Sequence, residues 1–384
     1  MSKTIEEINE KIEKNEVVVL TAKEAYDLVK EEGVKKAAEK VDIVTTGTFG
    51  AMCSSGVFLN FGHTEPPLKM ETVSLNSVPA YGYIAAVDAY LGATARSSEN
   101  TEYGGGHVIE DLLSGKRIRL EATGAGTDCY PKKDIDTKIT LDQINEAIMF
   151  NPRNCYQNYA AATNSSSTRL YTYMGALLPR YGNVNYATCG MWSPLLKDPE
   201  YRTIGIGTRI FFGGAIGYIA WHGTQHNSAR TRDDNKLPIG PAGTLALIGD
   251  LKSMNKRYVR GAYFEGYGVS LMLGIGIPIP VIDEDMMHQL SLGNEDIKTV
   301  IVDYSVASRS RPIVREVSYQ ELRSGFVEIH GKMVPTGSTS SWALAREIAT
   351  NLKQMILGKR FFLSEPVEKL PRDRIVKPLE VRRK

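Results

Sequence analysis

The chain has 384 residues, 42% of them hydrophobic and 23% charged, with a formal net charge of +2. That length suits two or three domains of roughly 150 residues, or one large one, and the composition excludes a chain disordered throughout. The charge balance argues against a basic nucleic-acid binder, and four cysteines in so long a chain exclude a disulfide scaffold.

Residues 3–41 predict two charged helices. The first runs from about Thr4 to Asn15. Thr21 reads as the N-cap of the second, with Glu24 three residues on as its capping-box partner. Residues 1–40 are therefore expected to form a helical segment packed on a single body, 41–365, with 366–384 as a basic, extended tail. The N-terminus alternates charges where a signal peptide would need an apolar stretch of roughly 7–15 residues. The longest apolar runs, such as 210–221, fall short of the roughly 20 residues that span a bilayer. Free thiols without an export signal point to a reducing cytoplasm.

From residue 41 the texture changes. VDIVTTGTFG (41–50) predicts a strand, and Cys53 follows it in a small-residue loop. Residues 72–94 predict a strand, a turn and a helix. Residues 103–131 predict a glycine turn, a short helix, a strand and a second small-residue loop holding Cys129. Residues 141–159 predict a helix capped by Thr140 and ended by Pro152. The glycine-rich blocks 205–221 and 266–282 are buried strands or tightly packed helices, which periodicity does not separate. A helix near 284–290, a strand at 298–306 and an amphipathic helix at 341–361 follow. Together these predict an α/β or α+β fold: mixed sheets with helices and a glycine-rich core, the strand order left open.

Most chemical templates fail. There is no P-loop, no G-x-G-x-x-G in a strand–helix context, no H-E-x-x-H and no C-x-x-C. No cofactor is thus bound by a recognisable motif. His222 and His226 make an H-x-x-x-H pair, but Gly223 and Thr224 place it in a loop and no third ligand is evident, so no metal site is expected. The cysteines are the chemical lead. Cys155 and Cys189 sit in surroundings that suit inert, packed thiols. Cys53 and Cys129 each follow a β-type run and glycine punctuation, where free backbone N–H groups can stabilise a thiolate.

The runs GTFGAMCSSGVFLNFGH, EATGAGTDCYP, NPRNCYQNY, AWHGTQHN and PIGPAGTLALIGDLK resemble the homocysteine biosynthesis (sulfur-incorporation) family of anaerobes and methanogens over roughly residues 10–365. The resemblance makes 41–365 the catalytic domain. It implies a sulfurtransferase that forms L-homocysteine from L-aspartate semialdehyde and reduced sulfur, with Cys53 and Cys129 as the working thiols and a persulfide as the sulfur carrier. Many relatives carry CBS domains or a ferredoxin-like extension, so this chain reads as a short form. A separate iron–sulfur ferredoxin-type partner is the expected source of electrons.

Taking an aldehyde and sulfide to a thiol releases water and consumes two electrons. In the expected scheme Cys129 carries the persulfide, and backbone N–H groups near Gly124, Gly126 and Asp128 hold the carbonyl oxygen. Cys53 then releases the sulfur and leaves a disulfide for reduction; the two thiols could exchange roles. Arg153 and Arg169, flanking the polar run NYAAATNSSS, are candidates for the substrate carboxylate. His226 is a candidate acid or base. Other readings are a cysteine-dependent acyl transferase or hydrolase using a Cys129–His226 pair, and a non-catalytic sulfur-binding subunit. A homo-oligomer is compatible with a chain of this size. Neither a nucleic acid nor a membrane is expected as a partner.

Overall fold

The computed structural model describes residues 3–380. The two residues before and the four after, including the end of the basic tail, lie outside it. Six of the eight α-helices among the described residues are the longer ones: α1 (Ile5–Lys14), α2 (Ala22–Glu32), α3 (Val34–Lys40), α4 (Gly105–Leu113), α5 (Glu284–Ser291) and α6 (Trp342–Leu357). The capping box signalled at Thr21 forms, and α1 carries one as well. Thr4 Oγ1 accepts from the Glu7 N–H while the Glu7 carboxylate accepts from the Thr4 N–H, and Thr21 and Glu24 repeat the arrangement. Between α1 and α2, Val19–Thr21 pairs in parallel with Ile43–Thr45. Ile8 and Ile12 of α1 pack with Ile348, Leu352 and Ile356 of α6.

The main sheet has thirteen strands: β1 (Thr48–Ala51), β2 (Gly56–Asn60), β3 (Thr72–Leu75), β4 (Val78–Tyr81), β5 (Asp88–Gly92), β6 (Ile118–Thr123), β7 (Asp134–Ile139), β8 (Glu146–Asn154), β9 (Arg209–Phe212), β10 (Ala215–His222), β11 (Leu245–Asp250), β12 (Val259–Phe264) and β13 (Gly268–Gly276). Their order is β12-β13-β9-β10-β11-β8-β2-β5-β4-β3-β6-β7, with β1 also paired to β13. The glycine-rich blocks are therefore strands. All pairings in this sheet are antiparallel.

A second, six-stranded sheet is mixed. Its order is 313–318, 298–303, 161–163, 184–186, 332–338, 326–329. The pairs 161–163/298–303 and 184–186/332–338 are parallel. The architecture is mixed α/β, and one large apolar core runs through both sheets.

Two predicted helices are strands instead. Residues 72–94 form β3, β4 and β5. At 141–159 the Thr140–Gln143 capping interaction closes only a single 3-10 turn, after which the chain runs as β8 through Pro152. Ala147 and Met149 face the core, whereas Ile148 is exposed and Phe150 half-buried on the other face. The period-2 alternation is real, but apolar residues on the outer face hide it.

Candidate active site

The sheets meet at a cavity of about 160 Å³, small beside the roughly 300–1,000 Å³ of drug-sized sites and suited to a small metabolite. Residues 187–188 and 339–340, which follow the parallel strands 184–186 and 332–338, line it. The carboxyl ends of parallel strands are the common place for ligands in α/β sheets. The main sheet and its β1–β2 turn contribute Thr48, Gly50 to Ser54, Arg153 to Cys155 and Tyr267.

Cys53 is half-buried in the turn that joins β1 to β2. The antiparallel register of β1 with β13 pairs Ala51 with Met272, and continuing it two residues sets Cys53 opposite Ser270. The Ser270 hydroxyl, fully buried, donates to Cys53 Sγ at 3.1 Å, and the Tyr267 hydroxyl lies 3.8 Å from the same sulfur. Burial, reinforced by the neighbouring sulfur, pushes Tyr267 up to about 12, so its hydroxyl keeps its proton for donation at neutral pH. The Asn151 amide donates to Ser55 Oγ at 2.8 Å and anchors the turn to β8.

Arg153 reaches the cavity through an irregularity in β8. Its ladder with β11 shifts between Asn151 and Asn154, and the next residue, Cys155, has φ +48°. Bulges of this kind re-aim side chains beside active sites. The guanidinium lies 5.9 Å from the Tyr156 ring centre. Tyr159 and Tyr173 form the adjoining wall, with Tyr173 Oη donating to Tyr159 Oη and accepting from Tyr304 Oη at 2.9 Å. Burial raises both ring hydroxyls above the ordinary tyrosine range.

The remaining thiols behave as packed groups. Burial pushes Cys155 up to about 12, and Cys189, which accepts from Thr48 Oγ1 at 3.8 Å, is raised for the same reason. Cys155 lines the cavity, but its thiol is a poor source of thiolate.

Several sequence-predicted residues lie elsewhere. Cys129 is exposed in the turn Thr127–Tyr130. The Tyr130 ring stacks on His63 at 5.8 Å, and the Lys132 N–H donates to the Pro67 carbonyl. That loop therefore sits past the C-terminal end of β2, whereas Cys53 precedes its first residue. Five residues at a ~3.4 Å rise put roughly 14 Å of strand between the two turns. The structure does not bring Cys53 and Cys129 together, which corrects the expected disulfide pairing. Gly124, Gly126 and Asp128 share the Cys129 loop and are absent from the cavity lining, so they form no oxyanion pocket there. Arg169 is exposed and also outside the lining.

His226 is corrected too. It is 2% exposed, and both ring nitrogens are engaged. Nε2–H donates to the Pro371 carbonyl at 3.0 Å, and Nδ1 lies against Thr244, 3.1 Å from its N–H and 2.9 Å from its carbonyl oxygen. Burial lowers the affinity of the ring for a proton. His226 ties the tail to the body and is not available to pair with Cys129. Among the described residues no group of three His, Cys, Asp or Glu side chains is placed to hold a metal. No helix there is long and apolar enough to cross a membrane.

Sequence reasoning missed Ser270, Tyr267, Tyr159, Tyr173 and Asn154. Ser270 and Tyr267 carry no local motif; only the β1–β13 register delivers them to Cys53. Asn154 lies inside the quoted run NPRNCYQNY but was overshadowed by its neighbours.

Comparisons with known proteins point to one family. The L-aspartate semialdehyde sulfurtransferase of Methanosarcina acetivorans is 53% identical over 381 residues, covering 99% of this chain and 74% of that protein. The enzyme of the same name from Methanocaldococcus jannaschii is 52% identical, covering 96% and 74%. An uncharacterised protein of Methanothermobacter thermautotrophicus is 30% identical, covering 85% and 73%. No solved structure matches the chain. Residues 17–363 match the family described as homocysteine biosynthesis enzyme, sulfur-incorporation, and the chain belongs to that family.

Proposed function

We propose that the chain is an L-aspartate semialdehyde sulfurtransferase that forms L-homocysteine with Cys53 as its sulfur carrier. The observation that carries this reading is Cys53 Sγ, held by Ser270 and Tyr267 in a cavity that Arg153 also lines. The names of the relatives supply the substrate and the reaction.

A sulfane donor of the type R′–S–SH exchanges with the Cys53 thiolate, giving Cys53–S–SH and R′–S⁻. The terminal sulfur attacks the aldehyde carbon and forms a C–S bond, and the carbonyl oxygen takes a proton. Two electrons and two protons then cleave the S–S bond, restoring the Cys53 thiol and releasing a hydroxythiol. Loss of water leaves a thiocarbonyl, which two further electrons and two protons convert to the thiol. Sulfane sulfur thus consumes four electrons, and free sulfide adding directly would consume two. The electrons come from outside the chain, from a low-potential iron–sulfur carrier of the ferredoxin type. Arg153 is the fork for the substrate carboxylate, since a guanidinium matches that group in two parallel hydrogen bonds. The Ser270 and Tyr267 hydroxyls orient the sulfur and stabilise negative charge on it.

The test is homocysteine formation under anaerobic conditions from aspartate semialdehyde, a low-molecular-weight persulfide as sulfane donor and a strong one-electron reductant. Cys53→Ala is expected to lower turnover by about 10³-fold or more. Cys129→Ala, altering an exposed turn at the far end of β2, is expected to stay within about threefold of wild type when the persulfide donor is free in solution. Equal loss in both variants would restore Cys129 to the reaction and require its loop, or a second copy of the chain, to reach the cavity.

A further inference from the structure

Asn154 ends β8 within the cavity wall and is 1% exposed. Its Oδ1 accepts from the N–H of Cys155 at 2.5 Å. That backbone donor needs an acceptor, which fixes the orientation of the amide and leaves Nδ2 as the other polar atom. Nδ2 is buried with no hydrogen-bond partner among the described residues. Buried side-chain donors are nearly always paired, and an exception at a reaction cavity calls for a functional account.

The chemistry narrows what Nδ2 faces. The substrate carboxylate has its cationic fork in Arg153. The ammonium group is itself a donor and does not pair with an N–H. The aldehyde oxygen is an acceptor that gains negative charge as the C–S bond forms. Of the neighbouring hydroxyls, Ser340 Oγ already donates to the Ala187 carbonyl. The Arg153–Asn154 step also lies in the irregular stretch of β8, so one distortion presents both side chains.

Resting on the sulfurtransferase reading, we infer that the Asn154 side-chain amide donates to the aldehyde oxygen and stabilises the alkoxide formed when sulfur adds. Asn154 is then a catalytic residue, and the oxyanion site belongs to β8 in place of the loop around Gly124.

Two variants separate this role from a structural one. Asn154→Asp keeps an oxygen for the Cys155 N–H and loses the amide donor, and Asn154→Ala loses both. Both are expected to lower kcat/KM for aspartate semialdehyde by about 10²–10³-fold. Binding of L-2-aminobutyrate, which has the carboxylate and ammonium but no carbonyl, and alkylation of Cys53 by iodoacetamide are expected to stay within about threefold. Wild-type turnover in Asn154→Asp would overturn the inference and leave Asn154 as a support for the Cys155 turn. A loss matched by equal losses in aminobutyrate binding or Cys53 alkylation would also overturn it. Failure of wild-type protein to make homocysteine would instead overturn the reading beneath it.

Discussion

Burial decides what each titratable side chain can do here. Lys197 shows this away from the cavity. It is fully buried, and its Nζ donates to the carbonyls of Leu290 at 3.0 Å and Leu292 at 2.5 Å, at the end of α5. Burial pushes its proton affinity down to about 7, against the opposing pull of Asp296 and Glu295. In the unfolded chain the amine keeps its proton to about pH 10.4. Between about pH 7 and 10 the unfolded state therefore binds more protons, and stability rises with pH. Below about 7 both states are protonated and the full cost of the buried charge is felt. Urea unfolding is expected to show a slope of up to about 1.4 kcal/mol per pH unit between pH 7 and 9. That slope is expected to vanish in Lys197→Met. The same slope in both proteins would show that the amine stays charged in the fold.

Cys53 and Cys129 looked alike as residues because both follow a strand and small-residue punctuation. That local likeness carries no information about which end of β2 each turn occupies. The sequence did pick out Cys53 and Arg153, whose neighbours are adjacent in the chain. It did not reach Ser270 or Tyr267, more than two hundred residues from Cys53. His226 suggested chemistry by type alone, and only the tail carbonyl of Pro371 reveals its structural use.

At the scale of elements, the locally determined features were legible. The capping box at Thr21 depends on residues three apart, and the amphipathic face of α6 on neighbours three and four apart. The strands at 78–81, 88–92 and 146–154 were not, because pairing with distant neighbours overrides local preference. Glycine placement has a definite role where α4 starts. A Cβ on Gly106 would lie 2.1 Å from the Ser270 carbonyl oxygen, the residue whose hydroxyl holds Cys53. Helix propensity alone favours Gly106→Ala by about 0.8–1 kcal/mol. The contact predicts the opposite sign, a loss of about 1–3 kcal/mol in denaturant unfolding, together with slower alkylation of Cys53. A stabilised variant with unchanged alkylation would show that α4 moves away freely.

Across the whole molecule, the cavity belongs to neither sheet alone. The main sheet supplies the thiol and the arginine, and the second sheet supplies the opposite wall through the ends of its parallel strands. The chain spans about three quarters of the length of its 52–53% identical relatives, and the residues lining the cavity lie within it. Sulfur on Cys53 is the claim on which the rest depends. The most direct test loads the protein anaerobically with isotopically labelled sulfane sulfur and locates the label by peptide mass spectrometry. Aspartate semialdehyde and reductant are then added for a single turnover. The account predicts label on the Cys53 peptide before the chase and in homocysteine after it. Label that loads elsewhere and reaches homocysteine equally well from Cys53→Ala protein would contradict it.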